Sequence, residues 1–125
     1  MQTDHYQEIG AAFVRVLPSH FQKALLYAEV EDGVVGQSAF YQAPNGSVTF
    51  VAETRGLVEQ IYSFWEDMKA EAPEWRSMAF VIENGRFNVD LVYPDQLPAD
   101  EEDWERRPRI VRQYFGITDV LYPSR

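Results

Sequence analysis

The sequence predicts an α+β fold, a single domain over residues 1–125 with helices packed on an antiparallel sheet of about five strands. Three observations predict it. Apolar and polar residues alternate in several short runs, the signature of strands with two unlike faces. Turn residues separate these runs, at Asp32-Gly33, Pro44-Asn45-Gly46 and Asn84-Gly85. Three other segments switch to the helical period, and no regular strand–helix–strand alternation of a parallel sheet appears. The expected order is α-β-β-β-α-β-β-α.

The first helix is expected to start from a Thr3 or Asp4 cap and to place Tyr6, Ile9, Phe13 and Val16 or Leu17 on one face. Pro18 ends it, and Gly10 weakens it slightly. "QKALLYAEVEDG" reads as a strand in which Ala24, Leu26, Ala28 and Val30 alternate with Leu25, Tyr27, Glu29 and Glu31. "GQSAFYQA" returns after the Asp-Gly turn, and "SVTFVA" follows the second turn. From Thr54 or Arg55 the period is helical, with Leu57, Ile61, Phe64 or Trp65, and Met68 on one face and Pro73 as the stop.

The most determined segment is "ENGRFNVDLVYPDQ", residues 83 to 96. A two-residue hairpin at Asn84-Gly85 pairs Glu83 with Arg86, Ile82 with Phe87, Phe80 with Val89 and Met78 with Leu91. The last three pairs put six apolar residues on one face, so a slip of one residue would bury the polar set instead. The other face sets Val81 beside Asn88 and Ala79 beside Asp90. That face is open to water, to the second helix or to a partner. A polar loop over 94–103 leads into the last helix, "RRPRIVRQYFG", with Pro108 near its first turn, Ile110, Val111, Tyr114 and Phe115 buried, and Gly116 as its stop. Ile117, Val120, Leu121 and Tyr122 give the tail something to pack with.

Composition excludes several functions. The net charge is −9 with a pI near 4.6, spread along the chain. Such a surface repels nucleic acid and anionic membranes and attracts basic proteins. With no cysteine, disulfide and thiolate chemistry are absent. The start "MQTDHYQEIG" lacks the basic and apolar regions of a signal peptide, and no apolar run is long enough to span a bilayer. A cytoplasmic protein, monomeric when free, is expected.

No catalytic motif is found. His5 and His20 have no partner at metal-ligand spacing, so no metal or other cofactor is expected. No glycine-rich phosphate loop or nucleophile elbow occurs. Glu29, Glu53 and Asp90 could face one another as a hydrolytic carboxylate pair, but among 20 acidic residues such coincidences are common. "DEEDWE", residues 100–105, lacks the spacing of a calcium loop and suits the N-terminal end of the last helix. Arg106, Arg107, Arg109 and Arg112 read as ion-pair partners, since so many acids flank them. Trp75, Tyr93 and Trp104 lie at element ends, where an aromatic closes a core or anchors an interface.

The segments "IGAAFVRVLPSHFQKALLYAEVEDG", "WRSMAFVIENGRFNVDLVYPD" and "ADEEDWERRPRIVRQYFG" resemble the YezG-like immunity protein family, in the same order and over nearly the whole chain. "NGRFNVDLVYPD", Asn84 to Asp95, is the most specific piece. The chain departs from the family's look where its closing helix reads "RQYFG" rather than a Trp- and Tyr-rich end. The resemblance implies a non-enzymatic antitoxin that binds the C-terminal domain of a bacterial polymorphic toxin, often a nuclease. A basic toxin domain is then the expected partner. The expected contact surface is Asn88, Asp90, Tyr93 and Asp95, continued by Glu101, Glu102, Asp103 and Trp104. The alternatives are a small ligand-binding or adaptor domain, marked by a concave apolar pocket, and a carboxylate hydrolase.

Overall fold

The computed structural model describes residues 5–31, 34–52, 54, 56–69, 75–96, 103–116 and 119–122. The elements are α1 (His5–Arg15), β1 (Lys23–Glu31), β2 (Val34–Gln42), β3 (Val48–Phe50), α2 (Leu57–Lys69), β4 (Ser77–Glu83), β5 (Arg86–Val92), a 3-10 turn (Pro94–Gln96), α3 (Asp103–Phe115) and β6 (Val120–Leu121). The α+β class and the expected order of helices and strands hold. The expected cap at Thr3 or Asp4, the Asp32-Gly33 turn, Glu53, Arg55 and Pro73 lie outside the described residues.

The strands form one sheet in the order β5-β4-β1-β2-β3-β6. The first five strands pair antiparallel with their neighbours. The sheet has six strands rather than five. Val120 and Leu121 add a short parallel strand beside Val48 and Thr49. Two residues carry no periodic signal, so this strand was not predictable from pattern.

The β4–β5 register is the one the sequence dictates, with Glu83 opposite Arg86, Phe80 opposite Val89 and Ala79 opposite Asp90. Asn84 and Gly85 both have positive φ, 55° and 72°, the backbone of a type I′ turn. The twist of that turn matches the twist of the strands, which is why Asn-Gly is favoured there.

The helices cover both faces of the sheet. Side chains at even positions of β1 (Ala24, Leu26, Ala28, Val30) meet Ile9 and Phe13 of α1, Leu57, Ile61, Phe64 and Trp65 of α2, and Trp75, Met78 and Phe80. Trp75 is only 1% exposed and closes this core, as one of its two readings required. Odd positions Leu25 and Tyr27 meet Phe40, Val48, Ala79 and Val81, and are covered by Ile110, Val111 and Phe115 of α3. β1 is therefore buried on both sides. Gly10 belongs to this packing as well, because a Cβ there would lie 3.3 Å from the Phe80 ring. The glycine costs helix propensity and lets α1 settle onto β4.

α3 begins at Asp103, earlier than the "RRPR" run suggested, so Pro108 lies inside the helix rather than in its first turn. The ring removes one helical N–H, leaving the carbonyl of residue 104 without its usual donor. The helix ends where expected. Gly116 has φ 76°, and its N–H donates to the Arg112 carbonyl at 2.8 Å.

Candidate functional site

Among the described residues, the predicted contact residues of β5 and its C-terminal end do not share one face. Side chains alternate along β5, so Asn88 and Asp90 point to the α3 side, while Val89, Leu91 and Tyr93 pack against the α1/α2 core. Asn88 and Asp90 are exposed, Tyr93 is half-buried, and Asp95 is exposed on the 3-10 turn. That turn is fixed by Tyr93 and Gln96. The Tyr93 N–H donates to Gln96 Oε1 and the Gln96 N–H to the Tyr93 carbonyl, both at 2.9 Å. Glu101 and Glu102 lie outside the described residues, as do the side chains of Asp103 and Trp104, whose backbone opens α3.

Asp90 is not simply a solvated carboxylate. Its Oδ2 accepts a 2.7 Å hydrogen bond from the Tyr114 hydroxyl at the end of α3. The helix that reaches this face is α3, not α2. Burial and the Asp90 charge raise the Tyr114 phenol above its ordinary range, so it donates as a neutral group.

The proposed Glu29/Asp90 carboxylate pair finds no support in this geometry. Glu29 pairs with the Arg106 guanidinium. Asp90 is held at Tyr114, two turns further along the same helix, about 12 Å away by helical rise. Each carboxylate docks a different end of α3. Arg106 is thereby an ion-pair partner, as its acidic surroundings suggested. Between these ends the Tyr27 hydroxyl is buried without a hydrogen bond of ordinary geometry, although Ser77 and Glu29 adjoin it. Burial first, and the Glu29 charge second, push its pKa upward.

A different surface joins exposed apolar groups to carboxylates. Val34 of β2 is 70% exposed, and Tyr62 and Val58 of α2 are 40% and 39% exposed. They line a shallow depression with Val35, Glu59, Ser63, Glu66 and Asp67. The α2 spacing explains the grouping. Val58, Glu59, Tyr62, Ser63 and Glu66 recur at three- and four-residue intervals on the face turned from the core. The Tyr62 hydroxyl donates to Glu66 Oε1 at 2.8 Å, and Lys69 Nζ lies 3.1 Å from the same oxygen. The Tyr62 hydrogen bond and then Lys69 hold the Glu66 carboxyl below its ordinary range. Asp67 lies 2.8 Å from His5 Nε2. The sequence shows Tyr62 only as a polar-face aromatic of α2, a weak signal beside the Asn-Gly hairpin.

A deeper groove of about 1250 Å³ runs between α1 and the β4–β5 hairpin. Tyr6, Val14, Phe21, Phe80, Ile82 and Phe87 give it apolar walls. Arg15, His20 and Arg86 stand at its lining with one carboxylate, Glu83, which lies 3.8 Å from Lys23. Among the described residues, no group of three or more His, Cys, Asp or Glu side chains could hold a metal ion. No helix there is long and apolar enough to cross a membrane.

No protein-family model matches the chain, and no curated protein matches it. The reading of function therefore rests on the residues and on the surfaces they build.

Proposed function

We propose that the chain is an immunity protein that binds a basic toxin domain in one-to-one fashion and so neutralises it, without catalysis of its own. The carrying observation is the Val34, Val58 and Tyr62 patch bordered by Glu59, Glu66 and Asp67. An exposed tyrosine among aliphatic side chains is the kind of group that anchors a protein interface. Carboxylates around it favour a partner with lysines and arginines, such as a domain that grips phosphate. The net charge of −9 would speed capture of that partner. The family resemblance carried by residues 84–95 points to the same class of function. A nuclease domain and a cytoplasmic site of action belong to this proposal.

The patch on α2 is favoured over the β5 residues because its apolar and acidic groups share one face. On β5, Tyr93 faces the opposite side of the sheet from Asn88 and Asp90.

The test is co-expression with the toxin domain encoded beside this gene. The wild-type chain is expected to restore growth and to co-purify with the domain. Tyr62→Ala combined with Glu59→Lys is expected to weaken the complex by about a hundredfold. Asp95→Lys, on the 3-10 turn after β5, serves as the comparison. Full toxicity beside the folded wild-type chain would end the immunity reading. Loss of binding only in the Asp95 variant would move the surface to β5.

A second reading draws on the α1/hairpin groove, whose concave apolar walls suit a small-molecule site. Its Arg15, His20 and Arg86 would select an apolar ligand with an anionic group. A thermal-shift screen of medium-chain carboxylates against their alcohols tests this, and equal, null shifts would set it aside.

A further inference from the structure

We infer that the β5 edge is a self-complementary seam through which two copies of this chain pair, extending one sheet into the other about a twofold axis. The inference does not rest on the immunity reading.

The first observation is that β5 is an edge strand of the sheet. β5 pairs with β4 and, among the described residues, with no other strand. It is seven residues long, Arg86–Val92, and its register with β4 runs without a bulge. Natural edges are blunted by proline, bulges, shortness or charged side chains, lysine above all. Within its span β5 has no proline, lysine or bulge, and its two charges, Arg86 and Asp90, are of opposite sign. The opposite edge is β6, only two residues long.

The second observation is which backbone groups are free. In a two-residue hairpin the pair closing the turn, Glu83 and Arg86, exchanges both hydrogen bonds, and every second pair repeats this. Arg86, Asn88, Asp90 and Val92 therefore point their N–H and C=O groups at β4. Phe87, Val89 and Leu91 point theirs outward. An antiparallel partner must set outward residues opposite outward residues.

The third observation is the order of side chains, Arg86-Phe87-Asn88-Val89-Asp90. It reads positive, apolar, polar, apolar, negative. An antiparallel pair centred on Asn88 sets Phe87 opposite the partner's Val89, with both hydrogen bonds made. It sets Arg86 opposite the partner's Asp90 twice, once on each side of the axis. Asn88 meets its own copy. The adjacent allowed registers, centred on Phe87 or Val89, lose both ion pairs. Both charged groups are available. Among the described residues Arg86 has no ion pair, and Asp90 uses only Oδ2, leaving Oδ1 to accept. Phe87, 45% exposed and stacked on Phe80, gains cover from the partner's Val89. The patch on α2 lies over β2, with β4 and β1 between it and this edge, so both surfaces can be used together.

Sedimentation velocity on the full chain tests the seam. At concentrations on the order of 0.1 mM the wild type is expected to sediment as a dimer. Arg86→Glu sets Glu against Asp90 at both crossings and is expected to weaken dimerisation about tenfold or more. Asp90→Arg sets Arg against Arg86, with the same result. Mixed one to one, the two variants face Glu with Arg and Asp with Arg, and are expected to form a heterodimer. Val89→Pro removes an outward N–H that β4 does not use, and gives a second route to a folded monomer. Circular dichroism establishes that each variant is folded. A monomeric wild type at this concentration overturns the proposal. So does a folded Arg86→Glu that dimerises as the wild type does, or a mixture of folded variants that stays monomeric.

Discussion

At the scale of single residues, the two phenols under α3 carry a measurable consequence. Tyr27 is buried with an unpaired hydroxyl, and Tyr114 is half-buried against Asp90. Both are raised above the ordinary tyrosine value of 10.0, chiefly by burial. A group whose folded pKa exceeds its unfolded value contributes stability that is complete below the unfolded pKa. That contribution is lost as pH climbs past it. Urea midpoints are therefore expected to fall with rising pH above about 10, and more steeply than in a variant carrying Tyr27→Phe and Tyr114→Phe. Parallel curves for the two proteins would show that the phenols are not responsible. At neutral pH, Tyr27→Phe should cost little, because it removes a hydroxyl that makes no hydrogen bond of ordinary geometry. None of this was legible in "ALLYAEV". The alternation showed that Tyr27 lies on the face opposite Ala28, but not that a helix from the far end of the chain would cover it.

At the scale of elements, α3 is fastened at both ends. Arg106 holds Glu29 near its start. At its close, the Tyr114 hydroxyl reaches Asp90, and Lys23 Nζ donates to the Tyr114 carbonyl at 2.8 Å. A cation at the last carbonyls also suits the helix dipole. The Arg106 side chain is 7% exposed and that of Glu29 is 32%. Arg106→Ala would leave a partly buried carboxylate alone and is expected to cost about 2–3 kcal/mol, below the range for fully buried pairs because Glu29 keeps some water. Glu29→Gln with Arg106→Met should recover most of that loss. Chemical denaturation of the three proteins decides it, and equal losses in the single and double variants would refute the ion-pair account. The early start of α3 places Arg106 inside the helix, with Pro108 following it at the loss of one hydrogen bond. The sequence identified the helix, its buried stripe and its glycine stop. It could not reveal a partner 77 residues away, and it misplaced the first turn.

At the scale of the whole molecule, the hairpin registers were legible because turn chemistry and alternation agree on them. The layering was not, since one apolar stripe does not say which face of a sheet it covers. The contact surface was the least legible feature. Alternation put Asn88 and Asp90 on one face correctly, but Tyr93 falls three residues after Asp90 and so faces the other way. Tyr62 sits among the polar positions of α2, where the helical period marks no interface. The sheet order has one more consequence, for the route by which the chain folds. β1–β2 and β4–β5 are hairpins between sequence neighbours, whereas β1 meets β4 across about 50 residues, with Leu26 opposite Phe80. Local hairpins close in microseconds, so joining the two is the slow event. Ala24→Gly and Phe80→Leu, at that join, should slow refolding in stopped-flow experiments by most of their stability loss. Val48→Ala, beside the short β6, should chiefly hasten unfolding. The reverse pattern would show that the chain nucleates elsewhere. Until β1 finds β4, the two apolar faces of this inner strand stand uncovered.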